Sequence, residues 1–143
     1  MTRDPWPPLP YDEWKDTYAT LHMWTQVVGK VALARVQPLN HSWGIAFLPT
    51  PRGLQTRLLA HGARFFTISF DFIDHQLRIE TTDGEWRTLP LAPRSVAAFY
   101  REVTDTLEAM GLSTRIWSMP VEIPAPIRFE EDQQHSSYDR EYV

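Results

Sequence analysis

Apolar and polar positions alternate with two different periods along the chain. From Tyr11 to about Val28, Trp14, Tyr18, Leu21, Thr25 and Val28 recur at spacings of four and three, the mark of one helical face. Asp12, Glu13 and Asp16 fall in the first turns, where negative charge complements the helix dipole. Gly29 either ends this helix or sits inside it. Val31, Leu33 and Arg35 alternate, so a short strand competes there. From Ser42 to Leu91 the period falls to two. His41 to Leu48 predicts a strand stopped by Pro49 and Pro51. Leu54 to Ala60 predicts a second, followed by a turn at His61-Gly62. In the third, Arg64 to Ile73, Phe66, Ile68, Phe70 and Phe72 share one face, and Phe65, Thr67, Ser69 and Asp71 the other. Asp74-His75 then leads tightly into Gln76 to Thr82. Asp83-Gly84, tolerant of positive φ, marks a hairpin into Trp86 to Leu91. Connections this short specify an antiparallel meander.

A second helix follows Pro93, with Ser95 as its N-cap and Val96, Phe99, Val103, Leu107 and Met110 as its buried stripe, and Gly111 ends it. Thr114 to Trp117 reads as a short strand. Pro120, Pro124 and Pro126 turn the chain into an extended exit, with Ile123, Ile127 and Phe129 as its anchors. Glu130 to Val143 is polar and acidic; order is expected to fade there unless His135 or Tyr138 finds a partner, and truncation after Asp132 is expected hardly to change the melting temperature. At the other end, prolines at 5, 7, 8 and 10 predict an extended arm pinned by Trp6. The resulting division is an arm over 1–10, an α+β domain over 11–119, and an extended exit with acidic tail over 120–143. The fold expected of the domain is one antiparallel sheet, a meander of about five strands, with both helices packed on one face. Arg64 to Ile73 is its central strand.

Composition narrows the function classes. The 143 residues carry 14 Lys plus Arg against 18 Asp plus Glu, a formal charge of −4, so the cationic field a nucleic-acid binder needs is missing. No cysteine is present, which excludes disulfides, thiol catalysis and Cys-ligated zinc. No apolar run approaches the ~20 residues of a membrane span, and the first residues lack a signal sequence's apolar core. A soluble, cytoplasmic domain is expected, without nucleic-acid or membrane partners. Arginines are scattered along the chain and form no legible basic patch.

Three constellations hold candidate chemistry, and none matches a nucleotide-binding, hydrolase or zinc-protease signature. Asn40, His41 and Trp43 can orient a polar ligand against an aromatic face; the plainer reading is a turn at Asn40 with Trp43 in the core. Asp71, Asp74 and His75 can bind a hard metal or share a proton. More plainly, Asp74 caps a tight turn and Asp71 lies on a wet strand face. Asp132 and His135 in the tail can line a pocket with Glu122, or belong to a solvated segment. No set completes a metal site, and nothing points to a cofactor.

Several segments together resemble a bacterial family of uncharacterised proteins. They are Leu-His-Met-Trp-Thr-Gln-Val-Val-Gly-Lys at 21–30, Asn40-His41 with Trp43, Arg52-Gly53-Leu54, Phe70-Asp-Phe-Ile-Asp-His75, Ile116-Trp117, the 120–124 run, and Phe129-Glu-Glu-Asp132 with His135 and Tyr138. The resemblance is to the family's N-terminal half, implying that a partner half completes any shared site. It also implies that Asp132, His135 and Tyr138 contact the folded body or that second half. Two functions are therefore expected in order: a non-catalytic binding or interaction module acting with a second domain or in a homo-oligomer, then a small-molecule or metal-assisted enzyme using His41, Asp71, Asp74 and His75.

Overall fold

In a computed structural model describing residues 4–143, Tyr11–Arg35 forms one 25-residue helix, α1. Gly29 lies within it, and Val31 to Arg35 continue the helix instead of forming a strand. The buried face is Thr17, Thr20, Trp24, Val27, Val28 and Val31, while Tyr18 is exposed. Both faces repeat at helical spacing. Of the stripe that the spacing singled out, Val28 is buried and Leu21 packs against the core, whereas Tyr18 is left outward.

Beyond α1 the expected strand from His41 is replaced by a 3-10 turn over Asn40–Ile45. His41 and Ser42 are both left-handed, at φ 51° and 57°, which extended pairing cannot accommodate. The turn is held close by Gly44, where a Cβ would stand 3.0 Å from Val36 Cγ2. The sheet begins at β1, Leu48–Thr50, an edge strand and hence tolerant of Pro49. The expected strand from Leu54 to Ala60 is two pieces, β2 (Gly53–Gln55) and β3 (Leu59–His61). Thr56 interrupts them, its N–H donating to Ile68 O and its hydroxyl accepting from Ile68 N. Both pieces pair antiparallel with β4, Arg64–Asp71, which is central as expected. β5 (Gln76–Thr81) and β6 (Trp86–Pro90) complete the order β1-β2-β4-β5-β6, with β3 on β4. The register sets Leu54 beside Phe70, Ile68 beside Ile79 and Leu77 beside Leu89.

Helix α2, Val96–Ala109, is capped by Ser95 Oγ accepting from Ala98 N. Its Phe99, Val103 and Leu107 join Trp24, Val27 and Val31 over Phe66, Ile68, Phe70, Leu77 and Ile79. Both helices thus cover one sheet face, and the protein is α+β. Thr114 to Trp117 is not a strand, since no neighbour pairs with it. Arg35 holds it instead, donating from Nε to Thr114 Oγ1 at 2.9 Å and from Nη2 to Ser113 O.

The acidic tail is part of the core. Phe129 is fully buried, as its expected anchoring role requires. Val96 N donates to His135 O and Ala97 N to Asp132 O, so the tail satisfies two of the free N–H groups at the start of α2. It then crosses α1, where Ser137 N and Asp139 N donate to Thr20 Oγ1 and Thr17 Oγ1. Tyr138 stacks on Trp24, ring centroids 5.4 Å apart, and Trp24 stacks on Phe99 at 4.8 Å. Trp6 does not pin the arm; it is 87% exposed. Among the described residues no helix is long and apolar enough to cross a membrane.

Candidate functional site

The residues singled out by sequence fall into four separate places. Asn40, His41 and Trp43 occupy the 3-10 turn and are exposed, Trp43 by 61%, so it fills no core. Asp71 and Asp74 belong to a clasp around Arg52, whose Nε donates to Asp71 Oδ2 at 2.6 Å and whose Nη2 donates to Asp74 Oδ2 at 2.5 Å. Asp71 Oδ1 accepts from Ile73 N and Asp74 N, so it is Asp71 that caps the turn and Asp74 that answers the arginine. Burial would raise the Asp71 carboxyl, but the Arg52 guanidinium and these two N–H groups hold it below its ordinary value. Asp71 lies on the open face of β4, as expected, but the Arg52 clasp covers it and leaves it buried instead of wet.

His75, left-handed at φ 51°, turns its Nδ1 to the Tyr138 hydroxyl, 2.9 Å away. Asp132 is fully buried at the start of α2. Its Oδ1 accepts from Gln134 N and His135 N, and its Oδ2 accepts from His135 Nδ1 at 2.7 Å. Glu122 stands elsewhere, beside α1; the exit expected to be extended instead bends over 122–125, with Glu122 and Ala125 left-handed at φ 58° and 47°. Among the described residues no three or more His, Asp or Glu are placed to hold a metal ion.

Two of the concavities on the described surface adjoin residues singled out by sequence. One, of about 570 Å³, lies on the open sheet face over Arg52, Asp71, Ser69 and Arg78, where the charges are spent on each other; Arg78 also pairs with Glu80 and stacks on Trp86. The other, of about 510 Å³, has unspent groups. It lies between the outward face of α1 (His22, Gln26, Gly29, Lys30 and Leu33), the chain at Ile45 and Phe47, and the segment Trp117, Val121 and Glu122. The Gln26 side chain fixes the far wall, accepting from Val121 N at 2.9 Å and donating to Val121 O at 2.8 Å. Lys30 Nζ sits 4.7 Å from the Trp117 ring centroid, and burial pulls its amine below the usual lysine range. Trp117 is nevertheless 63% exposed and Leu33 55%.

Of this groove, sequence reasoning reached only Glu122. Positions 22, 26, 29, 30 and 33 form a second helical face, too polar for a core and too apolar for open water, and that mixture was the available signal. Two of the segments that carry the family resemblance, 21–30 and 116–124, meet here.

Comparison with curated proteins and with solved structures gives no match. A family model does match, over residues 6–143, without singling out one half of the family as the sequence had led us to expect. Across that span the chain belongs to the family of unknown function DUF5996.

Proposed function

We propose that the domain is a non-catalytic binding module, acting with a second domain or subunit that seats an apolar segment in the groove beside α1. The observation that carries this reading is the exposure of both Trp117 and Leu33 in the lining of one concavity whose far wall is fixed. Large apolar side chains left together in water favour a partner, and tryptophan in such a place dominates binding energy. The enzyme alternative has less behind it. Arg52 engages both Asp71 and Asp74, Tyr138 engages His75, and His41 lies apart on the 3-10 turn.

A neutral apolar dye, N-phenyl-1-naphthylamine, tests the groove. Its fluorescence is expected to rise on binding to the full chain and to fall back in Trp117→Ser, with circular dichroism showing that the variant folds. Unchanged dye binding in Trp117→Ser overturns the reading. Light scattering over a concentration series then separates partners: a mass that rises and is lost in Trp117→Ser indicates a second subunit, and a constant mass a second domain.

A further inference from the structure

We propose that the segment seated in the groove carries a carboxylate among its apolar residues, and that this carboxylate pairs with Lys30; the inference rests on the binding reading above. Lys30 is one of only two lysines in the chain. The other, Lys15, pairs with Asp12, whereas Lys30 makes no ion pair among the described residues. Its ammonium is partly desolvated by the groove and lies over an indole, so an incoming anion is matched by a cation already held in place. Glu122 lines the same groove, so an acidic side chain is favoured beside Lys30 and disfavoured beside Glu122.

Gly29 adds a second, independent observation. A glycine in the interior of a 25-residue helix is a net loss relative to alanine, and it is usually repaid by close packing. Here a Cβ would meet nothing within 4 Å. No neighbour within the fold needs the space, and the space opens onto the groove. The exposure of Trp117 and Leu33 favours a chain segment over a small molecule. Small-ligand sites enclose most of their occupant, and here two of the apolar lining residues stay more than half exposed.

The test is calorimetric titration of the full chain with a capped tetrapeptide of leucine, tryptophan, glutamate and leucine. Analogues with glutamine or lysine in place of the glutamate, and free 4-phenylbutyrate, are titrated alongside. The glutamate peptide is expected to bind roughly tenfold tighter than the glutamine one. Lys30→Met should erase that preference, bringing the glutamate peptide to the affinity of the glutamine one, and Lys30→Arg should keep it. If all three peptides bind alike, the carboxylate inference falls and the binding reading stands. Tighter binding of 4-phenylbutyrate than of any peptide overturns the choice of a chain segment. If neither the dye nor any peptide binds, both readings fall.

Discussion

The hydroxyl of Tyr138 lies 2.9 Å from Nδ1 of His75, joining the tail to the β4–β5 turn across 63 residues of chain. The tyrosine ring is meanwhile held against Trp24, with burial pushing its hydroxyl up to about 12. The phenol is therefore neutral at any physiological pH. In the unfolded chain it ionises near pH 10, so the folded state binds the extra proton between pH 10 and about 12. Stability is full below that window and falls as pH rises through it, by up to roughly 2–3 kcal/mol. Urea titrations from pH 8 to 12 should show this alkaline limb in the natural protein and a flatter one in Tyr138→Phe.

Truncation after Asp132 should lower stability by about 3–5 kcal/mol, the range for deleting a buried aromatic ring. This reverses the expectation from sequence. The segment lost contains Tyr138 and the two N–H groups that donate to Thr17 and Thr20, and His135 with its bond to α2. Differential scanning calorimetry of the two chains checks it.

The Arg52 clasp should set an acid limb. Asp71 has a folded-state pKa below its ordinary 3.8, so its contribution is present above that value and is lost as pH falls further. Asp71→Asn should flatten the stability curve below about pH 4. The same variant should lower stability at pH 7, where the natural carboxylate is fully charged. Urea midpoints at pH 7 and pH 3 measure both effects.

Two glycines should respond oppositely to alanine. Gly53 has φ 148°, and a Cβ there collides with the Phe70 carbonyl oxygen and reaches 2.9 Å from the Phe72 ring. Gly53→Ala should cost about 3 kcal/mol or more, or prevent folding. Gly29→Ala, in open space on a helix, should add about 0.5–1 kcal/mol. Thermal melts of both variants decide the signs.

Much of the fold was legible because its signals are local. The alternation of Phe66, Ile68 and Phe70 marks a buried strand face within five residues, and Ser95 announces α2 by a cap bond three residues long. What was misread depends on distant partners. The face of α1 was decided by the sheet and by the tail, and two helical stripes compete in its sequence. The left-handed pair His41 and Ser42 leads into Gly44, where a Cβ would press on Val36, a proximity that no propensity reports. The candidate site shows the same division. Asp71 and Asp74 looked chemically available because Arg52, 19 and 22 residues away, is outside any local window. The groove was missed because its walls meet across 95 residues, from Gln26 to Val121.

The threonine hydroxyls that α1 offers to the tail have a consequence for how the chain matures. Thr17 and Thr20 receive their backbone donors from positions 122 and 117 residues later, and Trp24 gains one of its two stacking partners only then. During synthesis α1 emerges before the sheet, α2 and the tail, and its Trp24 stays covered on one side only until residue 138 has left the ribosome. Contacts that span so much chain are entropically late. Helix α1, made before α2 and the tail, is thus among the last elements sealed, and the interval before sealing is when the nascent chain is most open to aggregation and to chaperones.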